Sequence, residues 1–429
     1  MKMNKSVSDN KTNNSAKDHR FGCSRRWFIA LMVSIVAAMT CIGFFWPNQS
    51  HTPSDHLDLA VQLEEHAADN FDIQRLGWTL AILGRDHEVR KLDMHPHSDL
   101  APLELEPNQL SIKALPWKQT IERLAGKHRI IMIMESHIAS KHREMTTAIL
   151  PILKQHGFTH LGVEAIGESA HSLKKRGYPS SSTGYYTTDP QFGNLIRTAL
   201  EQDFQVLGYD FRPFTHEIRE TYAADQLARI LDAPDSKLVI HAGLAHVLKH
   251  ETELGQEWLA AKLWKKSGIE PFTIWQWSDL HEGHEYQAVA KAIASRGKFD
   301  QPVILMPPPS TDSGLRDIPR VDAIIIHPPD TSSAPDNRTP LFANSMTAIY
   351  GKWNSDTWPI VVCAMPEDEP ANSVPLDQVM LRTDESRFRL NIPSGKPYQI
   401  RVFDKNGIRD VEIVESNDGV VVTDRSEQP

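Results

Sequence analysis

Acidic and histidine side chains recur in this sequence at one kind of position, at or shortly after the ends of short apolar runs. They follow four successive runs, and they are Glu135 and His137, then Glu164, then Asp210, then His241 and His246. Carboxylate and imidazole groups together suit a divalent transition metal, which can activate water near neutral pH. The same groups would equally form a metal-free acid/base pair. The pattern predicts a polar site and leaves both forms of its chemistry open.

Each of these residues, taken singly, also has an ordinary structural explanation. An acidic residue after a strand, such as Glu164 or Asp210, is often a helix N-cap or a first-turn charge. A single loop histidine is more often a surface residue than a ligand. It is the recurrence after successive apolar runs that favours a shared site.

The apolar runs alternate with segments of helical periodicity, and this alternation indicates the fold class. The runs lie at 130–134, 160–163, 205–209, 238–241 and 272–275, and helices are expected near 116–125, 143–155, 192–202, 217–231, 256–266 and 285–295. Such alternation is typical of an α/β fold, a mostly parallel sheet with helices on both faces. Further runs at 303–306 and 323–326 are expected to be edge strands of that sheet. Ligands of such sheets bind beyond the carboxyl ends of the strands, where the polar residues fall.

The texture of the chain changes after residue 357, where short strand-like runs are separated by turn signals such as Pro-Ser-Gly at 393–395. This pattern predicts a small β-sandwich-like module. The resulting division is a basic cytoplasmic tail (1–26), a transmembrane anchor (27–46), a linker and helical lead-in (47–115), the α/β domain (116–330), a second linker (331–357) and the β-rich module (358–429).

Four short motifs carry a resemblance to a known superfamily. They are Met-Glu-Ser-His at 134–137, Gly-Val-Glu-Ala at 162–165, Gly-Tyr-Tyr-Thr-Thr-Asp-Pro at 184–190 and His-Ala-Gly-Leu-Ala-His at 241–246. Together they resemble the erythromycin-esterase, ChaN and Tiki superfamily, over residues 116–279. One position departs from the superfamily pattern, which has Gly where this sequence has Met134.

The resemblance implies both a fold and a function. That superfamily has an α/β core and includes hydrolases, metal-dependent proteases and haem-uptake proteins. By resemblance, His137, Glu164 and His246 would bind a divalent metal (Mn, Co or Zn), with Glu135 as a base or a further ligand. All four residues are then expected to be catalytic, and haem is an alternative cofactor.

Tyr209, Asp210, Arg212 and Arg197 are the expected substrate-binding residues. Arginine pairs strongly with carboxylate and phosphate groups, so Arg197 and Arg212 would hold an anionic substrate or intermediate. For Arg197 an exposed helix face is an equally good explanation. The Trp-Gln-Trp segment at 275–277 would either supply an apolar wall for a ligand or, as is commoner for tryptophan, pack in the core.

The N-terminal region predicts where the protein works. The uncharged apolar run 27–46 is long enough to cross a bilayer as a helix, and seven basic against two acidic residues precede it. This asymmetry predicts a single-pass membrane protein with its N-terminus in the cytoplasm and its main body in the periplasm or outside the cell. A cleaved signal peptide is the rival interpretation.

The charge of the chain bears on its partners. The formal net charge is −9, and the part after the basic tail is more acidic still, so bulk electrostatics give no reason to expect a nucleic-acid partner. The leading hypothesis is an envelope hydrolase that acts on an ester or amide bond of a small-molecule or peptide substrate. The alternatives are a ligand- or haem-binding envelope protein that uses the same pocket without turnover, and a scaffold whose site has decayed.

Overall fold

A computed structural model of the chain describes eleven stretches of it. They are residues 51–67, 69–92, 112–164, 166–210, 215–251, 255–280, 283–307, 320–330, 339–383, 385–416 and 419–425. The predicted tail (1–26) and anchor (27–46) lie outside these stretches, and so does Arg212. Within them, no helix is long and apolar enough to cross a membrane.

The helices carry their start and stop signals in the sequence. A capping box joins Thr52 to Asp55, the side chains of Asp69, Asp189 and Thr215 accept hydrogen bonds from first-turn N–H groups, and Gly177 ends a helix in the left-handed conformation. The α-helices are α1 Pro53–His66, α2 Asn70–Ile82, α3 Asp86–Val89, α4 Trp117–Lys127, α5 Ser140–Gln155, α6 Ala170–Arg176, α7 Pro190–Glu201, α8 His216–Leu231, α9 Leu259–Ser267 and α10 Gly283–Ala294.

A large sheet forms the centre of the molecule. Its strands are β1 Ala114–Pro116, β2 Ile130–Glu135, β3 His160–Val163, β4 Gln205–Gly208, β5 Leu238–Gly243, β6 Phe272–Trp277, β7 Val303–Leu305 and β8 Ala323–Ile326, in the order β1-β7-β8-β6-β2-β5-β3-β4. The strands β8, β6, β2, β5, β3 and β4 pair in parallel, whereas β7 pairs antiparallel with both β8 and β1. The predicted α/β fold with a mostly parallel sheet is therefore confirmed.

Alternate residues of the strands point to opposite faces of this sheet, and each face has its own core. On β2, Ile131 and Ile133 belong to a core that includes side chains of α4, α5 and α7. Ile130 and Met132 belong to a second core with side chains of α8, α9 and α10. Helix packing on both sides explains why every residue of β2, β5 and β6 is buried, and why these strands appear in the sequence as continuous apolar runs.

The C-terminal part, where a β-rich module was predicted, contains two four-stranded sheets with mostly antiparallel pairing. Their strands are β9 Met346–Asn354, β10 Ile360–Pro366, β11 Asp377–Leu381, β12 Arg387–Pro393, β13 Tyr398–Asp404, β14 Gly407–Ile408, β15 Val411–Ser416 and β16 Gly419–Asp424, in the orders β11-β10-β13-β14 and β12-β9-β16-β15. Both sheets contribute to one shared core. Residues 346–354, inside the predicted second linker 331–357, form β9, a full strand of the second sheet.

The lead-in helices pack against both larger parts of the chain. Leu57 of α1 and Trp78 of α2 belong to the same core as Ile131 of the large sheet and as Val361 and Met380 of the C-terminal part. Alternation along β10 explains this, since its odd-numbered residues face that core while Val362 and Ala364 face the other C-terminal sheet.

Candidate functional site

The polar residues predicted from the sequence lie at the carboxyl ends of four contiguous parallel strands. Within the order β2-β5-β3-β4, Glu135 is level with Gly243, and Val163 is level with His241. Neighbouring strands are about 5 Å apart, so side chains that follow these strands are within reach of one another. This arrangement brings together Glu135, His137, Glu164 and His246.

The first half of the site is built around His137. Its Nδ1 lies 2.8 Å from Oε1 of Glu135, and the other carboxylate oxygen of Glu135 accepts a hydrogen bond of 2.8 Å from Nε of Arg143. Arg143 also donates to the backbone carbonyl of His137 at 3.2 Å and pairs with Asp189 at 3.2 Å. In contrast, Nε2 of His137 is buried and has no hydrogen-bond partner among the described residues.

Charge in this half is fixed by the arginine. Burial alone raises the pKa of Glu135, but Arg143 and His137 outweigh it and lower that pKa to about 2. His241, whose Nε2 lies 3.9 Å from Glu135, is affected in the opposite sense, since burial lowers its pKa to about 4. At neutral pH, Glu135 is therefore a carboxylate and His241 a neutral imidazole.

The second half is built around His246, and here both ring nitrogens face carboxylates. Nδ1 lies 2.9 Å from Oε2 of Glu220, and Nε2 lies 3.4 Å from Oε1 of Glu164. Although burial lowers the pKa of His246, Glu220 and Glu164 raise it to about 10. His246 is therefore an imidazolium at neutral pH.

Glu164 is held from several sides. Arg219 donates to its Oε1 at 2.5 Å and also pairs with Asp210 at 2.7 Å, while the backbone N–H of Gly243 donates to its Oε2 at 2.6 Å. Burial raises the pKa of Glu164, but the charges of His246 and Arg219 outweigh it and hold that pKa well below the ordinary value. Glu164 is thus an ionised carboxylate with a donor at each oxygen, and a carboxylate oxygen can accept a second hydrogen bond.

The two halves meet at Gly243. A Cβ atom placed there would lie 2.9 Å from Cε1 and 3.1 Å from Nε2 of His137, and 3.0 Å from Oε2 of Glu164. Only glycine allows the backbone to approach both side chains so closely. His137 and Glu164 therefore face the same point.

The other predicted residues have different fates. Tyr209 is buried beside the site and its hydroxyl donates to the carbonyl of His241 at 3.4 Å, and Asp210 pairs with Arg219. Arg197 is engaged elsewhere: its guanidinium binds Glu369 at 2.7 Å through both Nε and Nη2, so it joins α7 to the C-terminal part, and none of its described bonds reaches the site. The segment 275–277 lies in strand β6, with both tryptophans packed in the core.

Sequence analysis missed Arg143, Arg219 and Glu220. Both arginines occupy the fourth residue of the helix that follows a strand of the site, α5 after β2 and α8 after β4. A first-turn residue can reach back over the end of the strand before its helix, so the basic residue at this position after both β2 and β4 is the signal that was available.

The predicted metal site at His137, Glu164 and His246 is wrong. Among the residues that the structure describes, no group of three or more His, Cys, Asp or Glu residues could hold a metal ion. The bonds above give the physical reason. Both ring nitrogens of His246 face carboxylates, Nδ1 that of Glu220 and Nε2 that of Glu164, which leaves no ring nitrogen of His246 open to a metal.

Comparisons with known proteins add little. The sequence matches no protein-family model, and a search of curated proteins gave no match. Among solved structures, the type III effector HopBA1 is similar over 39% of this chain and 87% of its own, with 15% identity and a TM-score of 0.28. RRSP, a MARTX toxin effector domain from Vibrio vulnificus, is similar over 47% of this chain and 43% of its own, with 17% identity and a TM-score of 0.27.

A third similar structure is the C-terminal region of Pasteurella multocida toxin, which is described as having a thiol-protease-like catalytic triad. It covers 42% of this chain and 27% of its own, with 13% identity and a TM-score of 0.23. Scores this low carry no argument about what this chain does, and nothing in these comparisons bears on the superfamily that the motifs resemble.

Proposed function

We propose that the chain is a hydrolase in which His137, oriented by Glu135, acts as the general base toward an ester or amide substrate. One observation carries this proposal: Nδ1 of a buried histidine is bound to a carboxylate while its Nε2 has no partner among the described residues. An ionised carboxylate can only accept, so it favours the tautomer with hydrogen on Nδ1 and a free lone pair on Nε2. This is the arrangement that a general base requires.

The chemical step then follows from these positions. A water molecule transfers one proton to Nε2 of His137 as its oxygen attacks the carbonyl carbon of the substrate. Glu164, which faces the same point, accepts a hydrogen bond from the second hydrogen of that water. When the carbon–oxygen or carbon–nitrogen bond breaks, the leaving group takes the proton from Nε2, so that an acid and an alcohol or amine are released.

His246 and Arg219 have a supporting role in this step. Both lie against Oε1 of Glu164 and keep it ionised, so that it can act as an acceptor. The resemblance of the motifs to a superfamily that includes hydrolases supports the same assignment. Anchoring in the membrane and work outside the cytoplasm stay predictions from residues 1–46.

The test is hydrolysis of chromogenic esters and amides, p-nitrophenyl butyrate and p-nitroanilides, by the intact chain. We expect His137→Gln to lower kcat/KM by roughly a hundredfold or more, the usual contribution of a general base. His171→Gln, which changes an exposed histidine of α6, is the matched control and should retain activity. Equal rates for His137→Gln and the parent protein would overturn the proposal, and so would the absence of any turnover by the parent protein above the rate in buffer.

The alternative of haem binding without turnover is tested with the same two variants. Haemin titration followed in the visible spectrum would show a Soret shift that His137→Gln abolishes, since Nε2 is the ring atom left open to an iron atom. Such a shift, together with no hydrolysis, would replace the hydrolase proposal.

A further inference from the structure

We infer that Tyr186 and Trp78 are positioning residues that fix the ring plane of His137, so that the lead-in helix α2 is part of the active unit. This inference rests on the proposed function. The Tyr186 ring stacks on the His137 ring with centroids 4.0 Å apart and planes 15° apart. Trp78 stands edge-on to both rings, at 6.2 Å from His137 and 6.0 Å from Tyr186.

The physical need for such contacts comes from how His137 is held. The covalent bond to Cγ and the hydrogen bond from Nδ1 to Glu135 hold one edge of the imidazole, and the opposite edge remains able to tilt. Nε2 lies on the opposite edge of the ring and must reach the reacting water. A small tilt of the ring therefore displaces Nε2 strongly. A stacked ring on one face and an indole edge on another side prevent that motion.

Tyr186 is itself held by bonds that lead to the same site. It begins the 3₁₀ turn Tyr186–Thr188, and Asp189 directly after this turn pairs with Arg143, which binds Glu135. Thr188 of the same turn bonds to Nε2 of His56 in α1 at 2.9 Å. The turn is thus fixed both to the carboxylate that orients His137 and to the lead-in helices.

Burial makes this arrangement specific. His137, Tyr186 and Trp78 are exposed by only 4%, 8% and 5%. Tyr185 adds an edge contact to Tyr186 at 5.2 Å, and it also contacts the rings of the lead-in residues His51 and His56. The aromatic cluster therefore runs without interruption from His137 to the start of α1.

The experiment compares Tyr186→Phe, which keeps the stacked ring, with Tyr186→Leu, which removes it. We expect the Leu variant to lose roughly tenfold to a hundredfold in kcat toward the chromogenic ester with KM nearly unchanged, and the Phe variant to retain most of kcat. Trp78→Leu should show a smaller fall of the same kind. Tyr350→Leu, at an exposed tyrosine of β9, is the matched control.

A second readout is independent of turnover. The Cε1 proton of His137 should resonate upfield under the stacked ring, and it should move downfield in Tyr186→Leu but not in Tyr186→Phe. Full kcat in Tyr186→Leu would overturn the positioning role whether or not that signal moves. Equal losses of kcat in the Phe and Leu variants would also overturn it, because the hydroxyl rather than the stack would then matter. If the parent protein does not hydrolyse the probes, the proposed function is overturned, and the positioning role of Tyr186 with it. If the enzyme is active but the Cε1 signal does not move in Tyr186→Leu, only the stacking role of Tyr186 is overturned.

Discussion

His137 and His246 follow neighbouring strands of one sheet, yet their surroundings give them opposite properties. His137 has one carboxylate at Nδ1 and an open Nε2, whereas His246 has carboxylates at both nitrogens. The pKa of His246 is accordingly raised to about 10. A histidine with a carboxylate at each nitrogen is held as a cation, and one with a single engaged nitrogen can exchange a proton at the other.

The difference shows that the type of a residue after a strand does not by itself determine its protonation and role. Side chains from the helices that follow the strands determine them. Arg143 from α5 takes up the second oxygen of Glu135, which leaves His137 facing a single carboxylate oxygen. Glu220 from α8 adds a second carboxylate to His246. We therefore expect changes in the His137 half to affect turnover, and changes in the His246 half to affect mainly stability.

The largest effect is expected for Glu135→Gln. The amide can still occupy the space, but it no longer favours the Nδ1–H tautomer of His137 and leaves Arg143 with a neutral partner. By analogy with orienting carboxylates in other acid/base sites, kcat should fall by roughly a hundredfold to ten-thousandfold. Steady-state hydrolysis of p-nitrophenyl butyrate measures it, with Glu65→Gln at an exposed position of α1 as the control. A fall of less than about twofold would show that His137 does not depend on this carboxylate.

A smaller effect on turnover is expected for Gly243→Ala, which adds a methyl group where the His137 half and the His246 half of the site meet. Its Cβ would lie 2.9 Å from Cε1 of His137 and 3.0 Å from Oε2 of Glu164, so one of these side chains must move. We expect a loss of about 1–3 kcal/mol in the free energy of unfolding, as for other overpacked sites. Turnover should also fall, by roughly tenfold to a hundredfold.

Gly126→Ala is the matched control for this change. It lies within α4, and the nearest atom to its new Cβ would be His156 Nδ1 at 3.9 Å, an ordinary contact. Alanine in a helix should be neutral or stabilising by up to about 1 kcal/mol. Urea unfolding and steady-state assays measure stability and turnover of both variants. Equal stability and equal turnover of Gly243→Ala and Gly126→Ala would mean that the close approach of His137 and Glu164 to Gly243 is not critical.

Much of the fold was predictable from the sequence, and the reason is burial. Strands covered on both faces appear as apolar runs at 130–134 and 238–241, and they occur as β2 and β5 within two residues of those limits. Strand β9 inside the second linker was not predicted, because only Ile349 and Trp353 of its nine residues are buried and it has no continuous apolar run. The polar site residues at the ends of these strands could be identified from the sequence for the same reason, because they stand next to apolar runs.

What the sequence could not supply was the partners that come from elsewhere in the chain. Glu369, which binds Arg197, is 172 residues away from it, so nothing local distinguished a structural ion pair from a substrate contact. Likewise Glu220 is 26 residues before His246, and without it a protonated, non-ligating imidazole was indistinguishable from a metal ligand. Long-range charge pairing is set by the fold and is absent from any motif.

The smallest effect on turnover is expected for Glu220→Gln, which changes the pH dependence of stability instead. The pKa of His246 is about 10 in the folded protein against 6.5 for an ordinary histidine. A raised folded-state pKa contributes stability that is fully present below about pH 6.5 and is lost as the pH rises through about 10. Removing the Glu220 charge lowers that pKa, so the alkaline loss, on the order of several kcal/mol in the parent protein, should shrink in the variant.

Urea unfolding at pH 6, 8 and 10 measures this difference, and Glu217→Gln on the same helix is the control. Glu217 pairs with Lys262 at an exposed position and does not touch His246 in any described contact, so its variant should follow the parent curve. Parallel curves for all three proteins would mean that His246 is not held as a cation between two carboxylates. In that case the contrast with His137 would lose its basis, because His246 would no longer be a fixed cation.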